Sequence, residues 1–234
     1  MRLLLISNST NAGEEYLAYP KEYIKDFLGT QKVKALFIPY AGIMVSYDDY
    51  EKKVRDRFSE IGHDIVSVHH FADPVEAVNN SQAIVVGGGN TFRLLQLLYK
   101  NRLVEAINKR VNSGVPYIGW SAGANITCPS ISTTNDMPVV QPDSFAALNL
   151  VPFQINPHYL DANPDGHAGE TREMRISEFL EIQQSISVVG LREGSILQLE
   201  NSQIRLHGPH TMRVFKHGSV PVEIGPEDDT GLLI

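Results

Sequence analysis

One cysteine, Cys128, and one tryptophan, Trp120, occur in 234 residues. A lone thiol cannot close an internal disulfide, so the chain is not a disulfide scaffold and suits a reducing cytoplasm. Long apolar runs are missing too: none approaches the roughly 20 residues that a membrane-spanning helix needs. The apolar stretch in MRLLLISNST is too short for a secretory h-region and no small-residue cleavage site follows it. It reads as a buried first strand. Positive charge is in deficit, with 20 Lys and Arg against 27 Asp and Glu and a formal net charge of −7. That argues against a nucleic-acid partner, which leaves a basic footprint, and against a polybasic membrane contact. There is no His-Glu-x-x-His motif and no Cys/His cluster, so the sequence points to no zinc site and to no other cofactor. Repeats, low-complexity tracts and linkers are absent as well. The remaining composition, 42% hydrophobic and 20% charged, is that of a globular protein with one core. We expect one domain over residues 1–234, as a monomer or homodimer.

Apolar runs alternate with amphipathic segments through the first half. Strands are expected at residues 3–7, 33–40, 64–69, 83–86 and 115–120. Helices are expected at 20–28, at 47–61, after Asp73 with Pro74 at its first position, and over 90–111 in two pieces. Five β–α alternations predict an α/β fold, a mostly parallel sheet with helices on both faces. Residues 128–143 are polar and proline-containing and read as a long functional loop. Beyond it, 150–156 looks extended and 170–183 helical. The short runs SVVGL, SILQLE, QIRLHG, TMRVFKHG and VPVEI, with turn signals ENSQ and KHGS, predict C-terminal β-hairpins. The acidic tail PEDDTGLLI reads as frayed.

Two glycine-rich turns carry chemistry. Gly119-Trp120-Ser121-Ala122-Gly123 fits G-x-S-x-G, a strand-to-helix turn whose backbone strain lifts a serine hydroxyl out of the sheet. The competing reading is a plain strand-to-helix turn. Gly87-Gly88-Gly89-Asn90 also follows a strand and opens a helix. A dinucleotide fingerprint would need a third spaced glycine where Phe92 stands. Oxyanion stabilisation is the alternative, with amides of Gly88 or Gly89 beside that of Ala122. A serine nucleophile needs a base. Of the eight histidines, His63, His69, His70, His158, His167, His207, His210 and His217, only His158 ends an apolar extended run, QINPH. The base in turn needs an acid to fix its tautomer. Asp136, in TTNDMP, gives the order Ser-acid-His of α/β-hydrolases, and Glu193, in GLREG, ends a later strand and serves equally. Whichever does not orient His158 is free for a substrate amine.

These stretches, together with LLLISNST, FIPYAG, VGGGNTF, YIGWSAGAN and GETRE, run in one order from residue 3 to about 194. They closely resemble the peptidase E (α-aspartyl dipeptidase) family of serine peptidases. The resemblance implies a class I glutamine amidotransferase-like fold with flavodoxin-like layers. It implies hydrolysis of small Asp-X dipeptides and some short peptides through an aspartyl-enzyme, with Ser121 as nucleophile, His158 as base, and Asp136 or Glu193 as the third member. A substrate β-carboxylate calls for a planar cation. The resemblance suggests Arg172 of GETRE, with Glu170 and Asn90 as polar contacts; the competing reading is a solvated surface pair with Glu170 and Glu173. The remaining functional alternatives are a cyanophycinase-like aspartyl-peptide hydrolase, a general α/β-hydrolase-type esterase, and a non-catalytic small-molecule binder on the same fold.

Overall fold

A computed structural model describes residues 1–163, 166 and 168–233. His167 therefore lies outside the described residues. In chain order the elements are β1 (Arg2–Ile6), α1 (Lys21–Leu28), β2 (Lys34–Ile38), α2 (Tyr47–Glu60), β3 (Asp64–Ser67), α3 (Pro74–Asn79), β4 (Ile84–Val86), α4 (Thr91–Lys100), α5 (Leu103–Asn112), β5 (Tyr117–Trp120), α6 (Ala122–Asn125) and β6 (Gln154–Tyr159). They continue with α7 (Arg172–Ile182), β7 (Val188–Arg192), β8 (Ile196–Glu200), β9 (Gln203–His207), β10 (Met212–Phe215) and β11 (Val222–Ile224).

Helix starts follow local chemistry. The Asp73 carboxylate accepts from the amides of Val75 and Glu76, with Pro74 in the first turn. Ser46, Asn90 and Thr171 cap α2, α4 and α7 in the same way. The break between α4 and α5 falls at Arg102, whose φ of 57° cannot continue a helix.

Among the described residues, seven strands form one sheet in the order β3-β2-β4-β5-β1-β8-β9. The first five are mutually parallel, and β8 and β9 are antiparallel additions. The two-residue pleat splits the core between the faces. Leu3 and Leu5 of β1 join Leu36, Ile84 and Tyr117 under α3, α4 and α5. Leu4 and Ile6 join Phe37, Val85 and Ile118 under α1 and α2. Helices thus cover both faces, as the alternating pattern predicts.

The C-terminal half differs from a simple run of hairpins. A second sheet of four strands has the order β11-β10-β7-β6, and its β6–β7 pair is parallel. β7 and β8 are consecutive but lie in different sheets, so SVVGL and SILQLE do not pair. ENSQ does close the β8–β9 hairpin, with Asn201 at φ 52° and Ser202 at φ 61°, the two left-handed positions of a tight hairpin turn. The expected strand at 64–69 stops at Ser67, and Val68–His70 form one tight helical turn. Nor is the tail frayed over its described residues: Leu233 is buried and the Thr230 hydroxyl donates to the Ile204 carbonyl at 2.8 Å. Two side chains, Thr230 and Leu233, dock an otherwise acidic segment.

Candidate active site

Ser121 sits between β5 and α6 at φ 54°, ψ −113°, a backbone conformation that a residue with a Cβ rarely adopts. The chain forces it there by close packing at both flanking glycines. A Cβ on Gly119 would lie 2.2 Å from the Gly123 carbonyl oxygen, and one on Gly123 would lie 2.2 Å from that of Val86. Only glycines permit this crossing of strand and helix. The Ser121 amide donates to Ile6 of β1 at 3.0 Å, and its carbonyl accepts from Ala124 and Asn125. The backbone is thereby fixed and the hydroxyl projects from the carboxyl end of the sheet. α6 has only four residues, so its first amides matter more here than any helix dipole.

His158 arrives from the second sheet. The β6–β7 register shifts between Pro157 and Tyr159, and His158 stands in that bulge at φ 53°. A bulge turns a side chain out of the ladder. Its Nε2 lies 2.9 Å from Ser121 Oγ, and its Nδ1 lies 2.6 Å from Glu193 Oε1. An ionised Glu193 accepts from Nδ1–H, which leaves Nε2 as the acceptor facing the serine. Because β6 and β7 run parallel, the histidine and the glutamate emerge side by side at the same end.

The carboxyl end of β1 ties these pieces together. The His158 amide donates to Ser7 Oγ at 3.0 Å, and the Ser7 hydroxyl donates to the Leu191 carbonyl at 2.7 Å. Asn8 Oδ1 accepts from the Gly194 amide and from the Tyr19 hydroxyl, both at 2.8 Å, holding the turn that carries Glu193. Arg192 anchors the same turn from outside through Asp161, Glu223 and the Thr211 carbonyl. Those contacts hold the Glu223 carboxylate down at about 2, chiefly through the hydrogen bond from Arg192.

Asp136 is engaged elsewhere. Its Oδ2 accepts from the Thr91 amide at 2.7 Å, the Thr91 hydroxyl at 2.6 Å and the Thr134 hydroxyl at 3.1 Å. Asn90 accepts from the Arg93 amide and donates to the Met137 carbonyl. Together they clamp the polar loop onto the start of α4, and neither is hydrogen-bonded to His158. The loop still bears on the site, since Asn135 donates to the Pro157 carbonyl at 2.7 Å, immediately before His158.

Gly88 lies against the serine: a Cβ there would stand 3.1 Å from Ser121 Cβ. Gly89, at φ 132°, could carry no side chain without meeting the Ala41 carbonyl oxygen at 2.3 Å. The amides of Gly88, Gly89 and Ala122 donate to no acceptor among the described residues. The turn itself is braced by the Tyr50 hydroxyl, which donates to the Gly88 carbonyl at 2.9 Å.

A cavity of about 330 Å³ opens here, lined by Ser9, Tyr16, Lys53, Gly88, Ser121 and His158 among others. That is room for a small molecule rather than a folded chain. A larger cavity of about 610 Å³, at Leu36, Val66 and Phe71, has no histidine in its lining and no part in this constellation. Glu170 pairs loosely with Arg175 at 3.7 Å. Arg172, half-buried at the start of α7, has no carboxylate partner among the described residues; burial, then Arg175, lowers its guanidinium from the ordinary value. Sequence reasoning assigned no role to Ser7, Asn8, Tyr16, Tyr50 or Lys53; Ser7 and Asn8 stand in LLLISNST, a stretch of the family resemblance, and the other three in no quoted motif.

A strained serine on a strand–helix elbow, with an imidazole on its hydroxyl and a carboxylate behind, defines the serine-hydrolase class. The chain belongs to peptidase family S51, a family of serine peptidases, whose model matches residues 3–207. It is 49% identical over 233 residues to a peptidase E of Nostoc sp., covering all of this chain and 96% of that one. To a peptidase E of Salmonella arizonae it is 46% identical over 224 residues, covering 96% and 97% of the two chains. The crystal structure of a peptidase from an acI-B1 Actinobacterium has a TM-score of 0.69 at 17% identity, covering 97% and 95%. A Listeria monocytogenes protein described as a candidate peptidase E scores 0.66 at 22% identity, covering 89% and 98%. At such identities the two structures speak for the fold alone.

Proposed function

We propose that this peptidase hydrolyses dipeptides, and some short peptides, with an N-terminal aspartate, and that Ser121, His158 and Glu193 form its triad. His158 Nε2 takes the Ser121 proton as Oγ attacks the carbonyl carbon of the aspartyl residue. The tetrahedral oxyanion faces the amides of Ala122 and of Gly88 or Gly89, a type of contact worth about 3–4 kcal/mol per donor in subtilisin. The imidazolium returns the proton to the leaving amine. An aspartyl-enzyme remains, and water, deprotonated by the same histidine, releases aspartate. The observation that carries this reading is the unbroken hydrogen-bonded line from Ser121 Oγ through His158 to Glu193.

For the substrate β-carboxylate two cations are open. Arg172 is a planar guanidinium, half-buried and without an ion-pair partner among the described residues, the state in which a carboxylate ligand gains most. Lys53 lines the cavity itself, with its ammonium 4.0 Å from the Tyr16 ring centroid. We favour Arg172, because a half-buried guanidinium gains more from a carboxylate than an exposed ammonium held over a ring. The reading also takes the chain as one domain, since a single apolar cluster includes residues of both sheets, and as cytoplasmic, in keeping with a single buried Cys128 that can close no internal disulfide.

The test is a hydrolysis panel of X-Leu dipeptides. Asp-Leu should be cleaved far faster than Asn-Leu or Glu-Leu, Ser121→Ala should be inert, and Arg172→Ala should lose more kcat/KM on Asp-Leu than Lys53→Ala. Equal turnover of Asp-Leu and Asn-Leu would remove the proposed specificity, and an active Ser121→Ala the mechanism.

A further inference from the structure

Away from the serine, four side chains from two elements converge on one point. Asp48 and Glu51, three residues apart, share a face of α2. His69 and His70 stand on the tight turn that follows β3. One donor atom from each of the four lies within 4.8 Å of the other three. We propose that Asp48, Glu51, His69 and His70 form a binding site for a divalent transition-metal ion of the zinc class.

The distances suit it. His69 Nε2 is 2.9 Å and His70 Nε2 3.9 Å from Asp48 Oδ1, and His70 Nε2 is 2.6 Å from Glu51 Oε2. Tetrahedral zinc with bonds of about 2.0–2.1 Å sets its ligands about 3.3 Å apart. The close pairs need only open, and the wide ones close, by side-chain rotation around an ion at their centre. Two imidazoles with two carboxylates select zinc or cobalt over magnesium or calcium, which take oxygen ligands.

The outer contacts are those of a held site. Ser67 Oγ lies 2.6 Å from His69 Nδ1 and can accept from Nδ1–H, the tautomer that metal binding at Nε2 requires; the proton that Nε2 shares with Asp48 Oδ1 at 2.9 Å would leave on binding. Glu51 is almost fully buried, and its Oε1 accepts from the Ser67 amide at 2.7 Å and from Arg55 at 2.5 Å, leaving Oε2 to the cluster. Charge favours a cation as well. Glu51 and Asp64 share one guanidinium, Arg55, whose Nε is 3.7 Å from Asp64, and among the described residues the Asp48 carboxylate faces only the two imidazoles. Two ordinary His–carboxylate pairs would explain each contact singly. They do not explain why all four donors face one point, with the outer atoms of His69 and Glu51 already engaged. The sequence hides the site because its two halves lie eighteen residues apart, 69 − 51, without a recognised ligand spacing.

The test uses the full chain, freed of metal with EDTA and dialysed, then titrated with zinc against a chromophoric chelator, with cobalt as a spectroscopic probe. We expect one equivalent bound and a zinc-dependent rise in Tm. His69→Ala and His70→Ala should each weaken binding about 100-fold and abolish the Tm rise. Asp48→Ala, at an exposed position where folding is not at stake, should weaken it about 10-fold. Ser121→Ala should bind zinc like the wild type. No saturable zinc binding, wild-type affinity in Asp48→Ala and His70→Ala, or loss of binding in Ser121→Ala would each overturn the proposal.

Discussion

Replacing Glu193 by Gln separates the two acids that the sequence leaves open. The carboxylate lies 2.6 Å from His158 Nδ1, and in the proposed mechanism it stabilises the imidazolium formed as Ser121 attacks. In the trypsin-like triad, where the acid is buried, the corresponding Asp→Asn change costs about 10⁴ in kcat. Here both partners are wetter, with side chains 38% and 51% exposed. Unit charges about 4 Å apart attract by about 4 kcal/mol near a protein surface and by about 1 kcal/mol in water. A half-exposed pair falls between, at about 2–3 kcal/mol, which predicts a 30- to 160-fold loss of kcat by transition-state arithmetic. KM should hardly change, because the charge being stabilised develops only in the transition state. Asp136→Asn should behave otherwise. The carboxylate serves Thr91 and Thr134, so its loss should cost about 1–2 kcal/mol of stability, as for a helix cap, and lower Tm. Steady-state kinetics on Asp-p-nitroanilide and thermal unfolding, run on both variants, give the comparison. Collapse of turnover in Asp136→Asn at unchanged Tm, with Glu193→Gln near wild type, would refute the assignment of Glu193.

Gly88→Ala should impair catalysis more than folding. Its Cβ meets Trp120 Cδ1 at 2.9 Å and Ser121 Cβ at 3.1 Å, so the cost in stability is about 1–3 kcal/mol while the amides beside Ser121 are displaced; kcat on Asp-Leu against Tm checks this. Ser7→Ala should lower kcat about tenfold with little change in KM, because it frees the His158 amide and the Leu191 carbonyl; Ser7→Thr should recover part of the loss if the hydroxyl is what acts. Glu223→Gln should destabilise the fold only above a pH threshold. The folded carboxyl sits at about 2, below its ordinary 4.5, so its stabilisation is complete above pH 4.5 and disappears as pH falls towards 2. Discounted for its part exposure, the effect is about 1–2 kcal/mol. Tm of wild type and variant should differ at pH 7 and converge near pH 2, and a constant difference would contradict the assignment.

What the sequence made legible is what local physics controls. β1 to β5 follow from apolar runs between amphipathic helices, because a parallel strand buried on both faces must be apolar throughout. The elbow at Ser121 is legible because Gly119 and Gly123 answer steric contacts within the motif and one neighbouring strand. The ENSQ turn is legible because left-handed backbone favours few residues. Legibility fails where a decision depends on which segment meets which. Residues 188–192 and 196–200 are equally apolar, and nothing in either assigns β7 to the second sheet and β8 to the first. Asp136 and Glu193 are equally plausible acids until β6 and β7 are seen to run parallel, which carries the second to His158 and leaves the first at Thr91. His69 and His70 look like surface histidines until α2 packs beside β3. The end of β1 is the clearest case. Ser7 and Asn8 lie in LLLISNST, a stretch that carries the family resemblance but no chemistry readable from its spacing. Yet they hold His158 and Gly194, far along the chain, by hydrogen bonds from side chain to backbone. A contact of that kind has no local signature, because a serine hydroxyl accepts any amide that the fold brings to it. The elbow that presents Ser121 can therefore be read from five residues, whereas the orientation of His158, its proposed base, depends on two sheets meeting at one strand end.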